Sequence, residues 1–425
     1  MGGPTANLED GVTAGQATAG GAGQGRRGLP LAVYVLALGT FLMLTSEFVV
    51  AAILPQIAGD LGVGVAQAGS LITVFAVGMV VGAPLMAMLT LRLSKQLTLV
   101  LALIVFVLGH VVVALGTEFA VLMAARFVSA LATGAFWAVS AVVATRAAGP
   151  SSGARAVGVV GAGGALATVL GVPLGAFIAQ LIGWRGTFWT LAAAAAMAAV
   201  LVARLVPQDA PVQQAPSVRT ELAGLRSGRL WLALAACATT CGGVLAAYSF
   251  IATILTDQAG VAVSHVPLVL TGFGVGSVIG TLLAGRFGDA HPGPITIITP
   301  AVTTVLLLGI SLLSGSPWLT SALVVLLGLF GLSANTVLIH LAVRFAGPAA
   351  TLGSALSVSA FNAGTALGTA VAGAALASPL GTAGPALVGN VIVALTLVPA
   401  IALAVAGRRL AGVKFDGGAV DPAIP

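Results

Sequence analysis

The sequence predicts an all-α membrane protein whose twelve transmembrane helices form two six-helix, pseudo-symmetric bundles. Three observations carry this expectation. The 425 residues are 59% hydrophobic and 7% charged, against about 25% charged in an ordinary soluble domain. The apolar residues gather into twelve blocks, each near the roughly 20 residues a helix needs to cross a bilayer. The second six blocks weakly repeat the first six. This composition excludes an ordinary cytosolic enzyme and a disordered chain. The net charge of +6 suggests a polyanion partner, but the basic residues lie scattered between apolar blocks and form no patch, so no nucleic acid is expected.

Residues 1–28 are rich in Gly, Ala, Thr and Gln, without an apolar run or a cleavage pattern, and read as a flexible cytoplasmic tail. The first bundle, 29–205, holds spans at 30–54, 66–90, 96–115, 119–143, 156–182 and 187–205, each bounded by a charge or a Pro/Gly break. A cytoplasmic linker, 206–229, follows; it carries Pro207, Pro211 and Pro216, then Arg219, Glu221, Arg226 and Arg229. The second bundle, 230–406, holds spans at 230–254, 266–285, 294–313, 319–343, 351–376 and 385–406, before a cytoplasmic tail at 407–425.

Twelve spans put both ends of this stretch on one side. If that side is the cytoplasm, every one of the 17 basic residues except Arg126 and Arg185 falls inside, as the excess of Lys and Arg in cytoplasmic loops requires. Trp184, Trp189, Trp231 and Trp318 fall near span ends, where an amphipathic ring favours the interface.

The repeat has an offset of 198 residues. Ala76-Val77-Gly78 to Gly82 aligns with Gly274-Val275-Gly276 to Gly280, and the outer-loop stretches from Gly62 and Gly260 align at the same offset. Duplicated halves are the pattern of transporters that rock one bundle against the other. The pairs Gly78/Gly82, Gly171/Gly175, Gly276/Gly280 and Gly364/Gly368 each place two glycines on one helix face. They allow close static packing or, alternatively, sliding during gating.

Charge inside a span is rare and marks function. Glu47, in Leu44-Thr45-Ser46-Glu47-Phe48, lies about two turns inside Pro55. Low-dielectric surroundings disfavour a charged carboxylate. Glu47 can therefore take a proton from an acidic outer face and release it inward, or else make a structural hydrogen bond to a neighbouring helix. Arg126, in the fourth span, keeps its proton. It acts as a fixed charge beside an acid, or as a structural cap for carbonyls. His110 and His340 could titrate, but a lone His in a span is more often a hydrogen-bonded packing residue. Asn335 and Asn362 could bind cargo or join helices, and Phe136, Trp137, Tyr248 and Phe361 could line an aromatic cavity or simply pack.

The only lysines, Lys95 and Lys414, are not in a Gly-Lys-Ser/Thr loop, so no nucleotide site is expected. Gly158 to Gly164 is glycine-dense but lies in a spanning helix with no strand before it. Cys237 and Cys241 read as small buried apolar residues, and no metal spacing is visible. No cofactor is expected; an ion gradient is left as the energy source.

The chain resembles the major facilitator superfamily, and within it the twelve-helix drug:proton antiporters, over residues 30–406. Thr45-Ser46-Glu47-Phe48 followed by Leu54-Pro55-Gln56-Ile57-Ala58 is similar to the first-helix signature of the group containing chloramphenicol-resistance and sugar-efflux exporters. Gly171-Val172-Pro173-Leu174-Gly175, with Gly183-Trp184-Arg185 after it, is similar to that group's fifth-helix antiporter motif. Arg126 matches a helix-4 arginine that the resemblance implicates in proton coupling. Between helices 2 and 3 the family carries a cytoplasmic latch. Here Arg92 and Lys95 remain, but Ala87, Leu91 and Ser94 stand at the first Gly, Asp and second Gly positions. The second-half copy keeps Gly285-Arg286-Phe287-Gly288-Asp289.

The resemblance implies a monomeric, proton-driven exporter of a small lipophilic drug, chloramphenicol-like as first expectation, in a bacterial inner membrane. Export of a sugar or other metabolite by the same fold is one alternative, and an uncoupled facilitator or channel is another. No nucleophile–base or metal constellation suggests an enzyme.

Overall fold

The structure is a computed structural model and describes residues 29–89, 93–149, 152–208, 226–288, 291–313, 315–347 and 350–416. The tail 1–28, most of the linker, and Arg92 and Asp289 of the expected latch lie outside the described residues.

Among the described residues, twelve helices are long and apolar enough to cross a membrane. They are α1 (Leu31–Leu61), α2 (Val65–Leu89), α3 (Lys95–Leu115), α4 (Phe119–Ala148), α5 and α6 (Trp184–Leu205), then α7 to α12. In α5, the segments Gly153–Leu166 and Val172–Ile182 are joined by a wide turn over Ala167–Gly171. In α7, Gly228–Tyr248 is extended by Ile251–Thr253 and a second wide turn, Ile254–Gln258. The remaining helices are α8 (Val266–Gly288), α9 (Pro292–Leu312), α10 (Pro317–Gly331 and Ser333–Phe345), α11 (Ala350–Leu376) and α12 (Gly384–Asp416).

The sequence expectation ended the first span at 54, before Pro55. Instead α1 runs through Pro55 to Leu61. A proline inside a helix forfeits one backbone bond and kinks the helix, but need not end it. The helix stops where Gly62 turns left-handed, at φ 65°, and the Val63 N–H reaches back to the Ala58 carbonyl at 3.0 Å.

The left-handed glycines reveal the duplication in the backbone. Gly62 and Gly260, Gly149 and Gly347, and Gly183 and Gly381 form three pairs, each 198 positions apart. Glycine is the residue that adopts this conformation without steric penalty. Gly62→Ala and Gly260→Ala are each expected to lower stability by about 1 kcal/mol, measured by thermal unfolding in detergent; an unchanged melting temperature would contradict the assignment.

The paired glycines on helix faces pack within a half. Gly78 and Gly82 lie against α4, where a Cβ on Gly82 would sit 2.9 Å from the Leu131 Cα. Gly276 and Gly280 lie in the same way against α10. Gly171 and Gly175 face Thr45 and Val49 of α1, and Gly364 and Gly368 face the backbone of α7. Close backbone approach replaces the hydrophobic effect as the force joining helices in lipid. Buried threonines satisfy their hydroxyls on their own helix, as Thr40 does on the Leu36 carbonyl (3.1 Å) and Thr303 on the Thr299 carbonyl (2.8 Å). Leu108, Leu282, Val305 and Leu367 stand exposed on the outer surface, as a lipid-facing perimeter requires.

The cores show how the halves meet. One buried cluster, including Leu36, Leu103, Phe106 and Val202, belongs wholly to α1–α6 and the residues flanking them. Another, including Leu230, Ala284 and Leu338, belongs wholly to α7–α12. At the opposite end, one cluster joins both halves through Ile53, Ile57, Leu71, Ile251, Leu270 and Phe273. There the Thr73 and Thr369 hydroxyls meet at 2.8 Å, and the Gln180 amide donates to the Val263 carbonyl at 2.8 Å. A Cβ on Gly274 of α8 would lie 2.7 Å from the Val169 Cα, inside the wide turn of α5. The molecule is thus closed at the end bearing the α1–α2 and α7–α8 loops, and its two halves keep separate cores at the other.

Candidate functional site

The centre of α1 brings the buried charge to the seam between halves. Glu47 is 6% exposed. It lines a cavity with Phe48 of α1, Ile72 and Phe75 of α2, Leu245, Tyr248 and Ser249 at the end of α7, and Thr365 of α11. The acid therefore borders both halves. The free space is about 10 Å³, enough for one water molecule. Closure of the adjacent end leaves the site too tight for a drug-sized guest. Phe48 meets Tyr248 edge-on at 6.4 Å, and Tyr248 lies against Phe273 at 4.6 Å. Three rings from α1, α7 and α8 thus stand beside the acid.

Arg126 is 1% exposed and held inward, so it neither snorkels nor faces lipid. Its Nη1 donates to the Ser46 carbonyl (3.1 Å) and to the Ser46 hydroxyl (2.9 Å). The residue it grips is therefore the one immediately before Glu47. The Phe75 ring centroid lies 4.1 Å from the guanidinium carbon, a desolvated cation–π contact worth about 2 kcal/mol. Nε and Nη2 of Arg126 are buried without a hydrogen-bond partner. Phe75 both covers Arg126 and lines the Glu47 cavity. It stands as an apolar partition beside the two charges.

Among the described residues, Glu47 and Arg126 are the only buried Asp, Glu, Lys or Arg side chains. Their positions displaced by 198 residues are Leu245 and Val324, both buried and apolar. The scaffold is duplicated, whereas the charge pair is confined to one half.

The other sequence candidates divide. Tyr248 lines the cavity. Phe136 does not: it is fully buried in the first half's own core, beneath Gly39. Trp137 packs with Val358 of α11 against Phe75 and Met79. Asn335 donates its amide to the Cys241 thiol, and Asn362 donates to the Val358 carbonyl of its own helix at 3.0 Å. The carbonyl oxygens of both asparagines are buried without a partner. Phe361 is half-buried against the second half's core. Gly171 closes the wide turn of α5, with Pro173 in the first turn beyond it, and the Thr187 hydroxyl donates to the Gly175 carbonyl at 2.8 Å. Of the latch residues, Lys95 opens α3 behind the Ser94 cap, and Gly285 and Arg286 fall in the last turn of α8.

Trp184 departs from the interfacial expectation. It is buried, and its indole N–H donates to Asp60 at 3.2 Å, while Arg185 ion-pairs with the same carboxylate. Arg185 also donates to the Gly116 carbonyl, tying the ends of α1, α3 and α6. Trp189, Trp231 and Trp318 are exposed.

Sequence reasoning missed Ser46, Phe75, Ser249 and Thr365. Ser46 had a usable signal, being next to the single acid in a span. A Phe and a Thr in apolar helices carry no signal of their own.

The geometry has counterparts among known proteins. The chain is 35% identical to the chloramphenicol resistance protein of Streptomyces lividans, over 88% of this chain and 96% of that one. It is 30% identical to a probable sugar efflux transporter of Mannheimia succiniciproducens, over 86% and 92% respectively. A crystal structure of a bacterial homolog of the human lysosomal transporter Spinster, inward-facing and occupied, shares the fold at a TM-score of 0.68 and 18% identity, covering 89% of this chain and 96% of that one. The sequence profile of the Major Facilitator Superfamily matches residues 36–261. Twelve helices in a duplicated scaffold, one buried charge pair at the seam and these relatives lead to one conclusion: the chain belongs to the major facilitator superfamily, and is a membrane transporter and not an enzyme.

Proposed function

We propose that the protein exports a small, lipophilic, electrically neutral compound, an amphenicol first among them, in exchange for protons. The observation that carries this reading is the placement of Glu47: buried, on the seam between halves, and next to the residue that holds Arg126. Export requires a site that binds cargo and proton differently in two facing states. Glu47 serves as that shared site, and Arg126 as the fixed charge that favours proton release. The two charges sum to zero, and the rest of the lining is mostly apolar and aromatic, which suits a neutral molecule better than a cation. Tyr248 offers its ring and hydroxyl to such cargo; the unpartnered carbonyls of Asn335 and Asn362 are further acceptors in the second half.

With both termini in the cytoplasm of a bacterial inner membrane, as the distribution of basic residues supports, the closed end is outer and the state is inward-facing. A monomer suffices for this cycle, and the proton gradient is its only energy source.

The test is drug susceptibility of cells expressing the chain. Amphenicols are expected to require at least about fourfold more drug to inhibit growth, equivalent to roughly 0.8 kcal/mol, and a protonophore is expected to abolish the protection. A quaternary ammonium compound is expected to show none. Protection against the cation but not the amphenicol would refute the neutral-cargo reading, and protection that survives the protonophore would refute coupling.

A further inference from the structure

The charge pair accounts for Glu47 and Arg126, but not for the third ionisable side chain beside them. His110, on α3, is 1% exposed. Its Nε2 lies 2.7 Å from the Ser46 hydroxyl, and its Nδ1 lies 2.7 Å from the Phe106 carbonyl. With a neutral imidazole, the donors and acceptors permit one consistent order. A carbonyl only accepts, so Nδ1 carries a hydrogen. A guanidinium only donates, so the Ser46 oxygen accepts from Arg126 and its own hydrogen is free to go to Nε2. The chain of bonds runs Arg126 to Ser46 to His110, and from His110 to Phe106, and it is complete with a neutral imidazole. The ring is fixed by stacking: Phe106 lies 3.9 Å away at 30°, and Phe188 of α6 lies 5.6 Å away.

We infer that His110 is a positioning residue of the transport site: by accepting the Ser46 hydroxyl, it turns the Ser46 oxygen toward Arg126 and fixes the guanidinium against α1, one residue from Glu47. The transport role rests on the proposed proton coupling; the bond order does not. The Nε and Nη2 donors of Arg126 are buried without a partner, so besides the Ser46 hydroxyl only the Ser46 carbonyl and the Phe75 ring, among the described residues, hold its fork. Without an acceptor at Nε2, the Ser46 hydroxyl would turn elsewhere and Arg126 would keep only the backbone carbonyl. A carboxyl that must gain and lose a proton in each cycle would then face a cation of undefined position. His110 does not line the cavity, which separates it from a cargo-binding role.

Two measurements test this. The first is independent of transport: nitrogen-15 spectra of histidine-labelled protein in lipid nanodiscs, with the His110 signal assigned by its loss in His110→Gln. The neutral Nδ1–H tautomer is expected at pH 7, with its Nε2 signal moved by Ser46→Ala. The Nε2–H tautomer, or a doubly protonated ring, overturns the inference. The second is proteoliposome transport of chloramphenicol under an imposed pH gradient. His110→Phe, which keeps the stacking and loses the acceptor, is expected to lower gradient-driven transport about tenfold, the scale of one hydrogen bond to a charged group, while gradient-free exchange persists. His110→Gln, which restores an acceptor near Nε2, is expected to recover to within about threefold of wild type. Wild-type rates in His110→Phe overturn the positioning role. A folded His110→Gln as impaired as His110→Phe also overturns it, since the imidazole itself would then carry the proton. If wild-type protein moves no chloramphenicol, the proposed cargo falls, and the tautomer still decides the hydrogen-bond order.

Discussion

Glu47→Gln is expected to abolish uphill export while leaving downhill exchange of cargo intact. Glutamine has nearly the shape of a protonated glutamate and no proton to release. The variant therefore resembles the protein arrested with its proton bound. The expected size follows from the gradient. One charge moving through 100 mV is worth about 2.3 kcal/mol, which sustains roughly a 50-fold concentration difference for a neutral cargo exchanged against one proton. In Glu47→Gln that ratio collapses to about 1. Cargo distribution across energised vesicles measures it directly, and tracer exchange without a gradient shows whether the site still binds. A variant that still concentrates cargo would assign the coupling to another group and remove the main support for the mechanism. An uncoupled facilitator, by contrast, would show no gradient-dependent accumulation in either protein.

The double substitution Gly276→Ala, Gly280→Ala is expected to be the most damaging small change to the fold. A Cβ at Gly276 would lie 2.7 Å from the Val325 carbonyl oxygen and 2.9 Å from the Leu329 nitrogen, and one at Gly280 would press on the Leu329 carbonyl. These are backbone atoms, which cannot rotate aside, so α8 and α10 must separate along their contact. Overpacking costs about 1–3 kcal/mol per site, and in lipid no hydrophobic force pulls the helices back together. The double variant is expected to lose its monodisperse peak on size exclusion or to melt well below wild type. Gly158→Ala and Gly161→Ala are the controls. Nothing lies within 4 Å of a Cβ at either position, so alanine there is expected to be neutral or to stabilise by up to about 1 kcal/mol. Equal melting of the double variant and the controls would show that α8 and α10 are not held by close backbone contact.

Phe75 shows why part of the site escaped the sequence. It is one phenylalanine in an apolar helix, and its type and spacing match those of any core residue. Its meaning comes from Arg126, 51 positions later in the chain, lying 4.1 Å above its ring. His110 was legible as a titratable group in a span, but a lone His there more often packs as a hydrogen-bonded residue. Only the 2.7 Å contact to Ser46, 64 residues earlier, ties it to the charge pair. Phe136 was legible in the sequence as either a cavity wall or a packing residue, and the helix turns it into the first half's own core.

The spans, the single pair of buried charges and the 198-residue repeat were fixed by the sequence alone. Each is a local property: twenty consecutive apolar residues satisfy their backbone bonds within one helix in lipid, whatever the rest of the chain does. The fold decided which end is closed, what covers Arg126 and which side chains share the cavity with Glu47. Those depend on contacts such as Thr73 with Thr369, 296 residues apart. No stretch of sequence encodes such a contact by itself, because it exists only once two separately stable groups of helices have packed together.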